Sequence, residues 1–167
     1  ELVTGGSEAR RHFMDTVLMQ LDAPYLNALI RYDQALKQRN ALLKQEEEPD
    51  WRLMDVLEDM MGMCGELIYS CRKMFVDEFT PMFDALYHQI SDRDDEHVAL
   101  VYQSHGERGD LRPQLKSWRE KERIVGYSLH GIHKDELSLT LNGFPVKKEA
   151  SQGQQKTFFI AMKLAQY

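Results

Sequence analysis

Cysteine, proline and long apolar runs are all scarce in this chain. Its 167 residues include two cysteines and five prolines, and no stretch approaches the ~20 apolar residues a membrane-spanning helix needs. No signal-peptide pattern is present. These absences argue against a helical membrane protein and a disulfide-stapled secreted domain, and predict a soluble, cytoplasmic protein with no membrane partner. Cys64 and Cys71 lie in a strongly helical segment, seven positions apart and so about 10 Å along the axis. That is too far for a disulfide, and two thiols with no histidine beside them make no zinc site. They read as core thiols, and no metal is expected. Two further patterns are missing: a glycine-rich loop ending in Gly-Lys-Ser/Thr, and an apolar strand ending in Asp-Glu. Without them the chain is not expected to bind and hydrolyse a nucleotide by itself, so no catalytic residue is assigned. It begins at Glu1 and stops at Tyr167 within a helical pattern that no glycine or proline closes, and reads as a piece of a longer chain.

What is present is charge, unevenly spread. The overall balance of −6 combines about +1 over residues 1–45, −11 over residues 46–96 and +4 over residues 97–167. An acidic middle with milder basic flanks does not describe an autonomous high-affinity DNA-binding domain. If nucleic acid is a partner, the flanks face it.

Periodicity organises the chain into a helical part and a mixed part. Ser7 reads as the cap of a helix to about Leu21, with Phe13, Val17, Leu18 and Leu21 on one face. Asp22-Ala23-Pro24 ends it and starts a second helix to about Gln45, striped by Leu26, Leu29, Ile30, Leu36 and Leu43. Asp50 caps a third, running to about Phe79, in which Met54, Leu57, Met61, Cys64, Ile68, Cys71 and Phe75 form a heptad seam. Core filling is the preferred reading of that methionine-rich seam over a peptide groove. Thr80-Pro81 either kinks this helix or starts another. Two long helices joined by an acidic loop predict an antiparallel hairpin over residues 1–95. Beyond Asp92-Arg93-Asp94-Asp95 the pattern changes. Val98 to Tyr102, Gly126 to Leu129 and Leu137 to Leu141 read as strands, and Asp110 to Arg123 as one polar helix. Asn142-Gly143 reads as a hairpin turn leading to Val146. The fold class is therefore α+β, mainly α, with a long helical hairpin followed by a partial β-containing segment over residues 96–167.

Three stretches carry possible chemistry. Ser151-Gln152-Gly153-Gln154 precedes the apolar run from Phe158 to Ala165 and reads as a helix start. It is either an ordinary cap or a phosphate site, because unpaired N–H groups and the helix dipole both favour an anion. His133, Lys134 and Asp135 form a titratable cluster between predicted strands. It could be an acid–base pair, a solvated turn in which Asp135 bonds local backbone, or a hinge that senses nucleotide. Arg112, Lys116, Arg119 and Arg123 make a basic stripe that either tracks a phosphate backbone or faces solvent. Arg10 and Arg11 sit at the helix end where the dipole disfavours them, which hints at another task.

Four segments in order resemble the RecF family of DNA replication and repair ATPases, within the ABC and SMC-like class. They are Gly6-Ser7-Glu8-Ala9-Arg10-Arg11-His12-Phe13-Met14-Asp15, Tyr32 to Lys44, Gly126 to Leu137, and Ser151 to Leu164. Ile132, Lys134 and Glu136 depart from the family's usual Pro, Arg and Asp. The resemblance implies a helical second lobe over residues 1–95 and a return into the ATPase head over residues 96–167. Ala150-Ser151-Gln152-Gly153-Gln154 is similar to the ABC signature, with Gln152 replacing its first glycine. This similarity implies contact of Ser151, Gln152, Gly153 and Gln154 with ATP held by a partner subunit. The phosphate loop would precede Glu1, and the Mg²⁺-binding acids would follow Tyr167. The whole protein is then expected to use ATP and Mg²⁺, to be a weak DNA-dependent ATPase and to dimerise on ATP. It would act at gaps or single-stranded/double-stranded junctions in DNA with recombination mediator proteins, in repair and fork maintenance. This piece alone would be inactive and bind no cofactor. Arg10, Arg11, Arg112, Lys116, Arg119 and Arg123 are its candidate DNA contacts, and His133, Lys134 and Asp135 its candidate nucleotide-sensing loop. A different class of reading is a helical protein-interaction module with no nucleotide role, using residues 50–90.

Overall fold

The computed structural model describes residues 5–91, 93–146, 152–154 and 161. Its elements are α1 (Ser7–Leu21), α2 (Ala23–Lys44), α3 (Trp51–Ile90), β1 (Val98–Gln103), α4 (Leu111–Ser117), α5 (Arg119–Val125), β2 (Glu136–Leu141) and β3 (Phe144–Pro145). Short 3₁₀ turns occupy His105–Arg108 and Ile132–Lys134. The architecture is mainly helical with one small antiparallel sheet in the order β1-β2-β3. Two compact units emerge, nested along the chain. The inner one takes residues 19–71 and 104–135, and the outer one takes residues 1–18, 72–103 and 136–167.

In the inner unit, α2 and the first half of α3 supply the core. The heptad seam of α3 is buried from Met54 through Leu57, Met61 and Cys64 to Ile68, so these methionines fill the interior and form no groove. Cys64 and Cys71 are free thiols. Burial pushes both above the ordinary thiol range, and Asp22 adds to the rise at Cys71. The buried face of α2 is not the predicted aliphatic stripe. It is Tyr25, Ala28, Tyr32, Ala35, Arg39 and Leu42, at alternating three- and four-residue steps, joined by Leu43, the one member of the predicted stripe that is buried, while Leu26 and Ile30 are exposed. Alanines admit close packing there, and the one charged member is carried inside by buried acids. Asp22 occupies the cap position of α2, but its side chain makes no capping bond. The predicted helix from Asp110 to Arg123 is two helices, broken at Trp118 with φ −100° and ψ 1°. Gly126 to Leu129 is not a strand. The N–H groups of Ser128 and Leu129 are already taken by the side chains of Asn40 and Glu122, which leaves none for a sheet ladder.

In the outer unit, the second half of α3 runs on through Pro81 without a break to Ile90. Phe75, Phe79 and Phe83 line its core with Phe13 of α1, their ring centroids 5.1 to 6.3 Å apart. β1 pairs with β2 from Val98–Leu141 to Gln103–Glu136, which buries Val98, Leu100, Leu137 and Leu139. The predicted Asn142-Gly143 turn is present. Its φ values of 52° and 83° are both positive, as a two-residue hairpin of right-handed twist requires. Among the described residues no helix is long and apolar enough to cross a membrane.

Candidate functional site

The loop from Gly126 to Asp135 is tied to α2 and α5 by buried polar side chains of the inner unit. Arg39 is fully buried. It donates to Ser128 Oγ at 2.7 Å, to the Leu115 carbonyl at 3.0 Å and to Glu122 Oε1 at 2.9 Å. Glu58 lies 3.5 Å from the same guanidinium. The other Glu122 oxygen accepts the N–H groups of Leu129 and His130. Arg119 completes the network, donating to Glu58 and, at 2.5 Å, to Asp55. Asn40 Oδ1 accepts both the N–H and the hydroxyl of Ser128, at 2.8 and 2.7 Å. Buried charges of opposite sign thus satisfy one another, and the loop's backbone is the frame they hold.

Tyr32 sets the far end of the loop. Its hydroxyl accepts the Ile132 N–H at 3.1 Å and meets His133 Nδ1 at 2.9 Å. His133 Nε2 faces the Ser128 carbonyl at 3.0 Å. A carbonyl only accepts, so Nε2 carries the proton and Nδ1 accepts from Tyr32. Gly131 makes this fit possible. Its φ is 137°, and a Cβ there would stand 2.1 Å from the Tyr32 hydroxyl. The solvated-turn reading of this loop does not hold, since Asp135 is wholly buried. Lys134 is exposed, its ammonium 5.6 Å from the Tyr127 ring centre.

Beside the loop, the His105 and His130 rings stack at 4.6 Å, and Trp118 lies 4.1 Å from His130. His105 Nδ1 accepts the Gly131 N–H at 3.1 Å. Burial, then the Arg108 charge, pushes His105 below the ordinary imidazole range. Burial, then His105, does the same to His130.

The predicted basic residues are dispersed. Arg119 is committed to Glu58 and Asp55, and Arg112 pairs with Asp110. Arg123 donates to the Glu47 carbonyl and lies over Trp51. Lys116 is exposed. In the outer unit, Arg10 donates twice to Glu136 Oε1, at 3.1 and 2.9 Å, and once to the Gly5 carbonyl. Burial works against the Glu136 carboxylate, but the Ser7 hydroxyl and Arg10 together hold its pKa below the usual range. Arg11, on the same helix, is half-buried.

Of the signature-like stretch, Ser151 lies outside the described residues. Gln152, Gly153 and Gln154 are helical, with Gln152 and Gly153 exposed. A Cβ on Gly153 would meet nothing within 4 Å. Gln154 donates to Glu96 Oε1 at 2.7 Å, and the other Glu96 oxygen accepts from Tyr87 at 2.6 Å. The sequence reading missed this buried Glu96 anchor and the Tyr32, Arg39 and Asn40 clamp. The seven- and eight-residue steps from Tyr32 to Arg39 and Asn40 were the available signal for the clamp.

No family model matches the chain. Curated proteins do, over its whole length. The DNA replication and repair protein RecF of Phocaeicola vulgatus is 52% identical over 167 residues, and that of Bacteroides thetaiotaomicron 51%. The protein of the same name from Flavobacterium johnsoniae is 43% identical over 170 residues. The chain spans 45% of the first two relatives and 47% of the third. Among solved structures, the recombination mediator protein RecF with ATPrS in the RecFOR pathway has the same fold, with a TM-score of 0.91 at 23% identity, over 99% of this chain and 47% of that one. Its counterpart with ATP gives a TM-score of 0.89 at 22% identity. In sequence along all 167 residues and in fold, the chain is a RecF-family sequence, corresponding to somewhat under half of its relatives' length.

Proposed function

We propose that this chain is part of an ATP-controlled DNA-binding protein of replication and recombinational repair, acting at gapped DNA with mediator proteins. In this reading it contributes Ser151, Gln152, Gly153 and Gln154 to ATP and Mg²⁺ held on a second subunit, so that nucleotide closes a dimer. The observation that carries the reading is similarity along the whole chain to proteins named for DNA replication and repair. The exposure of Gln152 and Gly153 and the open space around Gly153 fit close approach of a phosphate. The His133–Asp135 loop, clamped by Tyr32 and Arg39, is the proposed relay of nucleotide state. For DNA, the exposed Lys116 is the leading contact. Arg112 and Arg123, and Arg11 on α1, are secondary contacts. Arg10 and Arg119, held by acids, position their helices.

The test is Ser151→Arg in the intact protein. Bulk and positive charge at the phosphate position should abolish ATP-dependent dimerisation and lower DNA affinity in ATP to its nucleotide-free level. Dimerisation on ATP that survives the substitution would remove Ser151 from the site.

One observation favours a second reading, a protein-interaction surface. Leu53, Val56, Met63 and Leu67 are exposed along one side of α3, flanking its buried seam. A pull-down that loses its partner on Val56→Asp and Met63→Asp, with ATP response intact, would favour it.

A further inference from the structure

Three ligand-type side chains meet where α3 ends and β1 begins, in the outer unit. Asp84 and His88 stand four residues apart on α3 and so share a face. His97 is the residue just before β1. One ligand atom from each lies within 4.8 Å of the others. We propose that Asp84, His88 and His97 bind a divalent transition metal of the zinc class, which fastens the end of α3 to the start of β1. The site is independent of the ATP reading.

The geometry is close to what such an ion needs. Bonds of about 2.0–2.1 Å in a tetrahedral site put donor atoms roughly 3.3 Å apart. Asp84 Oδ2 and His97 Nδ1 are already 3.2 Å apart, and Asp84 Oδ1 is 3.9 Å from His88 Nε2. The two imidazoles sit edge to face, centroids 4.9 Å apart at 81°, so neither ring blocks the other's approach. The supports of a ligand set are present as well. Asp84 Oδ1 accepts the Val98 N–H at 2.8 Å, which fixes the carboxylate. The His97 backbone is held by Asn142 on both sides, its N–H donating to Asn142 Oδ1 at 2.8 Å and its carbonyl accepting the Asn142 N–H at 2.7 Å. The Glu96 carbonyl lies 2.5 Å from His88 Nε2. A carbonyl only accepts, so Nε2–H is its donor here, and a bound ion displaces that proton and draws Nε2 away from the carbonyl. Two imidazoles with one carboxylate favour zinc, nickel or cobalt over magnesium or calcium. His97 is 65% exposed, and Asp84 and His88 about a quarter, so the position is open to exchange with solution. No sequence spacing points to it, because the turn before β1 brings His97 back to the helix.

The experiment is calorimetric titration of the chelator-treated chain with Zn²⁺ at about pH 7.5, above the imidazole range. One saturable equivalent is expected. His97→Ala should weaken it ~10-fold or more, and Asp84→Asn similarly. His12→Ala, an exposed histidine on α1, should leave it unchanged. Zn²⁺ should also raise the melting temperature of the parent but not of His97→Ala, and Co²⁺ should show d–d absorption that Zn²⁺ displaces. His97 is exposed, so its variant keeps the fold, which circular dichroism checks. Absence of saturable binding, or binding unaltered by His97→Ala, overturns the site.

Discussion

At the scale of single residues, the inner unit depends on a few side chains that cannot be replaced one at a time. Arg39 neutralises Glu122 and lies against Glu58 with no water exposure. Arg39→Met keeps most of the volume but strands the buried Glu122 carboxylate, which costs about 3–5 kcal/mol. The urea midpoint of the variant should fall accordingly. If Glu122→Gln is added, part of that loss should return, because an uncharged amide tolerates burial better than an unpaired carboxylate. Gly131 is constrained from another direction. Gly131→Ala would force a methyl group into the Tyr32 hydroxyl at a backbone φ that side chains avoid, and a loss of roughly 1–3 kcal/mol is expected. The damage should appear as lost protection of the Ile132 amide in hydrogen exchange.

At the scale of elements, α3 shows how a helix overrides a local breaker. Pro81 lacks the N–H that would reach the Asp77 carbonyl, yet the helix continues to Ile90 because Phe79, Phe83 and Tyr87 are buried on its inner face. Pro81→Ala restores the missing bond and should raise stability by roughly 2 kcal/mol, read from the thermal or urea midpoint. The same helix explains what could be read in advance. Its seam consists of large apolar residues at regular steps, so periodicity alone located it, and Asn142-Gly143 announced its hairpin by backbone requirement. The inner face of α2, Leu43 apart, escaped notice because most of its members are tyrosines, alanines and an arginine, and a count of aliphatic residues selects the wrong side. Gly126 to Leu129 looked like a strand because side-chain type suggests β structure while saying nothing of long-range partners. Asn40, 88 positions away from Ser128, decides that segment. The candidate site was half legible. The His133–Asp135 cluster stood out by its chemistry, but Tyr32 and Arg39, which hold it, belong to a distant helix, and their spacing on it does not say which loop they face.

At the scale of the whole molecule, the buried His130 and the half-buried His105 tie stability to pH. His105 and His130 have folded-state pKa values below the ordinary one, so the unfolded chain binds protons more readily. Their contribution is complete above the unfolded value of about 6.5 and is lost as pH falls through it towards their folded values. The urea midpoint should therefore decline between about pH 7 and pH 5, and His130→Phe, which keeps a ring against Trp118, should flatten that decline. Glu96 and Glu136 are both held below their ordinary range, so their contribution persists to lower pH and is lost only as they protonate. The nesting of the two units has a consequence for synthesis. Every segment of the inner unit has left the ribosome once Asp135 emerges, whereas β1, made more than thirty residues earlier, still waits for β2. A ribosome arrested at that point carries one unit with all its parts and, elsewhere on the same chain, a strand whose edge is open. Residues 136–141, which supply β2, decide whether that edge finds its own partner or a neighbour's.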